Sequence, residues 1–293
     1  MIKDSIGNLY KSDGTNKRVT SLNNAIRGDL NMNIEVDGAV TSNFSQVNDI
    51  AGGTDVNDTY VGSLTATMTG AASDLAVDFS NLLGSGGHAD SITFNVTGVA
   101  TAAQLQTMAA DTDQAINDSG ISDNLSNLVT TNGTGGKTAF TTALANTSKP
   151  AITVVETGSD STITITEAAD INEINRLIAL ANTEDSVVTM AIEDVAGSNL
   201  LLATELTNAS ATGSAITVNL GSIAATTSNL TELNKIAGKS GVSEITATVT
   251  GITADLISGF GTTMSNVGTG AKFQITYSTT AEALSLTNAA TLA

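Results

Sequence analysis

LTATMTG, at residues 64–70, recurs as ITATVTG at residues 245–251, and this internal repeat decides the predicted fold. In both copies a leucine follows 11 residues after the first apolar residue. Upstream of each copy, VNDIAG at residues 47–52 matches LNKIAG at residues 233–238. A repeat that keeps its spacing is typical of chains built from stacked structural units, which expose extended surfaces.

Short runs with the composition of β-strands recur from residue 31 onward. They are rich in Val, Ile, Thr or Phe, and many alternate apolar and polar residues. The eight runs are residues 32–36, 64–69, 92–97, 163–166, 187–192, 216–220, 245–250 and 273–277. Successive runs start at similar intervals, except for one much longer step between the third run and the fourth. The spacing predicts a repeated unit of about 28 residues, interrupted once by an insertion.

Amphipathic stretches with helical spacing lie between these runs. Apolar residues three positions apart occur at Phe44, Val47 and Ile50, at Leu105 and Met108, at Ile171, Ile174 and Leu177, and at Leu230, Leu233 and Ile236. Capping-box patterns predict helix starts at Thr101 with Gln104, Asp170 with Glu173, and Thr279 with Glu282. Helices of about ten residues are unstable alone in water, so they must pack against the strands.

A strand, a short helix and a further strand in each unit predict an α/β fold. Units of this size favour parallel strands, here stacked as a solenoid-like parallel sheet. An ordinary open α/β sheet is one alternative, and a mainly-β sandwich with short helices is another. The strands keep Thr at alternate positions, unlike the near-continuous apolar strands of open sheets. This alternation predicts a partly exposed face or a ladder of hydroxyl groups.

Charge and composition divide the chain into four parts. Residues 1–30 form a basic N-terminal arm of net charge +2. Because the whole chain carries a net charge of −18, the remaining residues carry −20. Residues 31–108 form the first repeat block, and residues 161–293 form the second block with an apolar C-terminal end. Residues 109–160 are predicted to be an insertion with a Gly-rich loop. A β-hairpin is predicted to pair residues 152–155 with residues 163–165.

Composition excludes several classes of protein. A net charge of −18 disfavours nucleic acid as a partner, because phosphates would be repelled. The absence of cysteine excludes disulfides and thiolate metal sites. No window reaches the ~18 apolar residues of a membrane helix, and the polar start predicts that no Sec-type signal peptide is present. We therefore expect no membrane insertion, and a location in a virion or outside the cell at its surface.

Catalytic motifs are not found, and we expect no enzymatic activity. His88 is the single histidine and lies in a glycine-rich stretch. Gly136-Lys137-Thr138 resembles the end of a phosphate-binding loop, but Thr131 replaces the required glycine, so a turn is predicted. Asp111 and Asp113 begin like a calcium loop, but the ligand and glycine that should follow are missing. We expect no cofactor, with structural Ca²⁺ between acidic loops kept as an alternative.

The recurring cadence of Ile/Thr strands, short Asn/Ile/Leu helices and Thr-Ala-Thr-x-Thr-Gly covers most of residues 31–293. It resembles Thr/Ala/Asp-rich repeats in surface proteins of marine bacteria and cyanobacteria and in phage structural proteins. The resemblance implies a non-enzymatic structural protein that assembles into a virion component, such as a capsid decoration, fibre or tail part, or into a filament. A bacterial adhesin or surface-layer subunit is the first alternative, and a solenoid carbohydrate-active enzyme is the second.

Assembly is expected to use two surfaces of the chain, which join copies into a homo-oligomer or polymer or bind other virion or cell-surface proteins. The first is the basic arm, with Lys3, Lys11, Lys17, Arg18 and Arg27. The second is the apolar C-terminal end, with Phe273, Ile275, Leu284, Leu286 and Leu292. A basic arm would dock on the acidic body of a neighbouring copy, and the apolar end would continue the core into it.

Overall fold

Parallel strands separated by short helices make up the fold. The computed structural model describes residues 1–11, 18–28, 32–52, 62–82, 90–130, 135–148, 150–155, 162–164, 168–194, 206–250 and 272–278. The chain divides into two units. The first contains Met1–Ser122 and Thr138–Pro150, and the second contains Asp123–Lys137 and Ala151–Ala293. The predicted insertion at residues 109–160 is therefore shared between both units.

The first unit contains a four-stranded sheet. Its elements are β1 (Ile2–Asp4), α1 (Ile6–Leu9), α2 (Thr20–Gly28), β2 (Ile34–Val40), α3 (Ser45–Gly52), β3 (Leu64–Ala71), α4 (Ala72–Leu75), β4 (Ser91–Thr97) and α5 (Ala102–Ala110). The strands follow the order β1-β2-β3-β4, and each pairs in parallel with the next. The strand order in space is thus the order along the chain.

The second sheet has the same character. The remaining elements are β5 (Ile121–Asp123), α6 (Leu125–Leu128), α7 (Thr138–Asn146, in the first unit), β6 (Ile152–Val154), β7 (Thr162–Thr164), α8 (Ala168–Thr183), β8 (Val188–Glu193), β9 (Ala215–Ala224), α9 (Thr227–Ala237), β10 (Val242–Thr250) and β11 (Lys272–Ser278). The sheet order is β11-β10-β9-β8-β6-β5, and β7 also pairs with β8. The described pairings of β6 to β11 are parallel.

The predicted α/β class with parallel strands is confirmed, and the mainly-β sandwich is wrong. Apolar and polar residues alternate along each strand, so the apolar side chains lie on one face of the sheet. That face is buried, which a parallel sheet flanked by helices provides. In β3, Leu64, Ala66 and Met68 are buried, and Thr65 and Thr67 between them are not. The same face of the sheet continues with the buried side chains of Ile92 and Phe94 in β4, and the strands β8 to β10 alternate in the same way.

The predicted helices form on the apolar spacings. Val47 and Ile50 lie in α3, and Leu105 and Met108 lie in α5, all buried. The capping box at Thr101 is confirmed: its hydroxyl accepts from the Gln104 N–H at 3.2 Å, and the Gln104 side chain accepts from the Thr101 N–H at 2.9 Å. The predicted cap at Asp170 is wrong, because α8 begins at Ala168 and contains Asp170 in its first turn. The cap predicted at Thr279 lies outside the described residues.

The β-hairpin predicted between residues 152 and 165 is corrected by the strand pairing. Strand β6 pairs in parallel with the start of β8, where Ile152 lies beside Val188. Strand β7 pairs in parallel with its end, where Ile163 lies beside Ile192. The period-two pattern suits either arrangement, so the alternation of apolar residues could not distinguish a hairpin from two short strands on one neighbour.

Two pairs of neighbouring strands, one in each sheet, are separated by similar lengths of chain. In the first sheet, the Asn95 side chain donates to Thr69, 26 positions earlier. In the second, the Thr250 hydroxyl donates to the Ile223 carbonyl, 27 positions earlier. Helix α4 lies between β3 and β4, and helix α9 lies between β9 and β10, so each of these two pairs is joined through one described helix.

Asparagine side chains connect these successive passages. The Asn48 Oδ1 in α3 accepts from the Asn81 N–H at 2.9 Å, and the Asn175 Oδ1 in α8 accepts from the Thr207 N–H at 2.7 Å. A Cβ at Gly52 would collide with the Asn81 side chain, which explains the glycine that ends VNDIAG. The links join residues 33 and 32 positions apart, so the two units use equivalent bonds.

Candidate functional site

The first predicted assembly surface is only partly exposed. Lys3 lies on the open face of β1, where its Nζ is 2.6 Å from Glu35 Oε1 and 3.3 Å from Asp37 Oδ1. Hydrogen bonding to Glu35, and then to Asp37, raises the pKa of the Lys3 ammonium. Lys11 is exposed. Lys3 therefore forms ion pairs with two carboxylates of its own sheet.

Arg18 corrects the expectation of an exposed basic arm. The residue is 1% exposed, and its Nε and Nη2 donate to the carbonyls of Ile50 and Ala51 at 2.7 and 3.0 Å. These carbonyls lie in the last turn of α3, where the helix dipole favours a cation. Arg18 stabilises the interior of the first unit, and the sequence count of basic residues could not distinguish this role from docking.

The remaining predicted assembly residues are placed only in part. Phe273 and Ile275 lie on β11, beside Ile245 and Ala247 of β10. Both neighbours are buried, so β11 continues an apolar row of the second sheet at the level of the backbone. Lys17, Leu284, Leu286, Leu292 and the side chain of Arg27 lie outside the described residues.

The edge of the first sheet carries a hollow that sequence reasoning missed. A space of about 220 Å³ lies beside β1, lined on its apolar side by Ile2, Leu9, Val19 and Leu22, and elsewhere by Asp4, Asn8 and Ser21. Ile2 is half-exposed, although Ile34, its neighbour in β2, is fully buried. Among the described residues, β1 is an edge strand. The row of apolar side chains that crosses the first sheet therefore ends at Ile2, which is partly exposed.

The faces of the sheets away from the buried rows are partly exposed, which is one of the two outcomes that the Thr alternation predicts, and the side-chain bonds across them use mainly Asn amides and not a ladder of hydroxyl groups. In the first unit, Asn95 Nδ2 donates to Thr69 Oγ1 at 3.3 Å, and Asn117 Nδ2 donates to Asn95 Oδ1 at 2.8 Å. In the second, Asn219 Nδ2 donates to Glu193 Oε1 at 3.2 Å. The Asn95–Thr69 and Asn219–Glu193 bonds join side chains from neighbouring strands and support the strand register on this face, whereas Asn117 reaches Asn95 from an isolated β-bridge.

A groove of about 280 Å³ crosses the open face of the second sheet. It is lined by hydroxyl, amide and carboxylate groups from β7 to β10, including Thr162, Glu193, Thr217, Asn219, Glu244 and Thr246. The register places Asn219 beside Glu193 and Thr217 beside Glu244, so the two carboxylates are not cross-strand neighbours. The groove is suited to binding a polar ligand by hydrogen bonds.

A buried carboxylate lies where α5 ends in the first unit. Asp111 is 6% exposed, its carboxylate accepts from the Phe79 N–H, and its Oδ2 is buried without a hydrogen-bond partner in the described part of the chain. Burial raises the pKa of Asp111 from 3.8 to about 6; the Phe79 N–H opposes this shift, and the Asp78 carboxylate adds to it. Nearby, Phe79 stacks on Phe94 with ring centroids 6.4 Å apart.

Asp118 provides a comparison within the same unit. Its Oδ2 is also buried without a hydrogen-bond partner in the described ranges. Burial raises its pKa, and the N–H groups of Asp118 and Gly120 oppose the shift. No second carboxylate contributes to that shift, which distinguishes Asp118 from Asp111.

The motif at Gly136-Lys137-Thr138 does not form the predicted turn: it runs from a β-bridge at Gly136 to the start of α7 at Thr138. Gly136 makes an antiparallel bridge with Val129, and the Lys137 N–H donates to the Leu128 carbonyl at 2.8 Å. His88 lies outside the described residues. Within the described ranges, no group of three or more His, Asp or Glu side chains is placed to hold a metal ion. In those ranges, every helix is too short or too polar to cross a bilayer.

Comparison with protein-family models, with curated proteins and with solved structures found no match to this chain.

Proposed function

We propose that the protein is a non-enzymatic structural component that assembles end to end into a virion part, such as a capsid decoration, fibre or tail component, or into a filament. The proposal rests on one observation: among the described residues, β1 lies at one of the two ends of the first strand order, and β11 lies at one of the two ends of the second. An edge strand presents unpaired backbone groups that can pair with another chain. Different surfaces that meet head to tail generate open filaments.

The proposed architecture is a stack of strand–helix units about 28 residues long. Support comes from hydrogen bonds between neighbouring strands, which span 26 or 27 positions in the chain. The asparagine links over 33 and 32 positions support it further. In such a stack each unit buries its apolar row against the next, so an end unit favours a further unit of the same kind.

The exposed end at β1 has the features of a joining surface. The Ile2 N–H donates to the Asn33 carbonyl at 2.9 Å. Because successive backbone groups of a strand alternate in direction, the N–H and C=O groups of Lys3 point away from β2. The neighbouring hollow would receive apolar side chains from an added strand. Since Lys3 is already paired with two carboxylates, backbone pairing and apolar contact would contribute more to assembly than the charge of the arm.

The test compares Lys3→Pro with Lys3→Ala in the full chain. Proline removes the outward N–H of β1, whereas alanine keeps it and removes the ion pair. We expect wild type and Lys3→Ala to form oligomers or fibres in analytical ultracentrifugation and electron microscopy, and Lys3→Pro to lose them. A wild-type chain that stays monomeric at high concentration would overturn the proposal, as would full assembly of Lys3→Pro.

A bacterial adhesin or surface-layer role is the second candidate, and the groove on the second sheet favours it. Glu193, Asn219 and Glu244 present a polar concave surface suited to a ligand on a cell. The double variant Glu193→Gln, Glu244→Gln should weaken attachment of the labelled chain to intact bacteria. Thr67→Ser, on the open face of the first sheet, is the matched control and should leave attachment unchanged.

A further inference from the structure

The module that begins with β1 occurs a second time in the interior of the chain. IKDSIGNL at residues 2–9 matches ISDNLSNL at residues 121–128. In each copy the aspartate side chain accepts hydrogen bonds from the next N–H in the chain and from the asparagine amide four positions on. The distances are 2.8 and 2.7 Å at Asp4, and 2.9 and 2.7 Å at Asp123.

The two copies also continue in the same way. The Leu9 carbonyl accepts from the Val19 N–H at 3.1 Å, and the Leu128 carbonyl accepts from the Lys137 N–H at 2.8 Å. A helix of 9 residues that begins with threonine follows in each case, α2 in the first copy and α7 in the second. Sequence and backbone therefore identify two copies of one structural module.

The segment that begins with β11 likewise matches an interior module. FNVT at residues 94–97, in β4, matches FQIT at residues 273–276, in β11. At the same distance from each phenylalanine, TAAQL at residues 101–105 matches TAEAL at residues 280–284, which lie outside the described residues. The segment from β11 onward thus repeats the sequence pattern of β4 and the start of α5.

In the interior, the module of β4 and α5 covers the outer edge of β5. The Ser122 N–H donates to the Ala100 carbonyl at 2.9 Å, and the Ala100 N–H donates to the Gly120 carbonyl at 3.0 Å. Ala100 and Ile121 form a parallel bridge, and both are buried. Helix α5 packs against α7.

The edge of β1 is the same edge without this cover. The sequence match makes Lys3 the counterpart of Ser122, and Ile2 the counterpart of Ile121. The backbone groups of Lys3 point away from β2, as those of Ser122 point to Ala100. Ile2 is partly exposed, the hollow of about 220 Å³ lies beside it, and among the described residues no strand pairs with this edge.

We propose that the segment that begins with β11 in one copy of the chain covers the β1 edge of a second copy, as the module of β4 and α5 covers β5. The inference rests on the proposed end-to-end assembly and gives it a partner, a direction and a register. Thr279, outside the described residues, has the sequence position of Ala100, so its carbonyl would accept from the Lys3 N–H of the second copy. Strands would run parallel through the joint, since β1 and β2 pair in parallel, as do β10 and β11.

Disulfide trapping tests this joint, because the chain has no cysteine of its own. Ile2→Cys and Thr279→Cys in one chain place a thiol on each side of the joint, and assembly in a glutathione redox buffer links thiols that lie side by side. Filaments of this double variant should give a series of covalent oligomers on a non-reducing gel, and each single variant should lose them. Cysteine is a small apolar residue, so β1 should still form.

Two controls use the same chemistry. Ala100→Cys with Ile121→Cys makes the equivalent pair within one chain and should give a disulfide-linked monomer. Thr65→Cys with Thr279→Cys places one thiol on the exposed face of β3 and should give no covalent oligomers.

The outcomes separate this joint from the proposed function. Filaments of the double variant without covalent oligomers would overturn the joint and leave end-to-end assembly standing. Covalent dimers from Ile2→Cys alone would mean that two β1 edges meet, which also overturns it. A wild-type chain that stays monomeric in analytical ultracentrifugation would overturn the joint and the proposed function together.

Discussion

The open faces of the two sheets differ, although their buried faces are alike. In the first sheet, the carboxylates of Glu35 and Asp37 are paired with Lys3, and the ladder that joins Thr69, Asn95 and Asn117 is neutral. In the second, Glu193 and Glu244 add carboxylates around Asn219. The buried face and the asparagine links recur in both units, so they maintain the fold. The open faces and the strand edges vary, and binding properties can change there without disturbing the core.

The largest effect should come from truncating the shared buried rows. Leu64→Ala in the first unit and Ile216→Ala in the second remove fully buried side chains, and each should cost about 2–5 kcal/mol of unfolding free energy. Urea denaturation measures the loss. Thr65→Ala, on the exposed face, is the control and should change stability by less than about 0.5 kcal/mol. A similar loss in all three variants would contradict the assignment of faces.

A smaller effect should follow from removing the asparagine links. Asn48→Ala and Asn175→Ala each lose one amide acceptor for a backbone N–H, at a cost of about 0.5–1.5 kcal/mol. The bond of Asn175 is shorter and more buried, so we expect the larger loss there. Asn172→Ala is the control, since Asn172 is exposed on the same helix. If it destabilises as much as Asn175→Ala, the links do not contribute to stability.

The last expected effect is the pH dependence that Asp111 gives the first unit. Its pKa is raised from 3.8 to about 6 on folding, so the folded state binds the proton more tightly. As far as Asp111 is concerned, stability is therefore highest below about pH 4 and falls as the pH rises to about 6. The difference in Tm between Asp111→Asn and the wild type should grow in favour of the variant over this window. A constant difference from pH 4 to pH 7 would contradict the buried-charge account.

Local sequence patterns were sufficient to locate strands and helices, but they were insufficient to predict which strands pair with each other. The period-two runs marked β3 and β4, and Thr101 with Gln104 marked the start of α5, because these signals depend on a few adjacent residues. The hairpin at residues 152–165 was wrong, because strand pairing depends on which distant edge is available. Arg18 was misread for the same reason: its acceptors, the carbonyls of Ile50 and Ala51, lie 32 and 33 positions away.

The sequence by itself determined the class of this protein: parallel α/β, with strands and short helices alternating along the chain. Side-chain periodicity and helix capping are local consequences of backbone geometry, so they can be recognised without coordinates. The tertiary structure alone decided which strands end the sheets, that the Arg18 cation is buried, and that the Asp111 carboxylate is buried. These features depend on contacts between distant segments, and on burial, which changes the energy of a charge that the sequence merely counts.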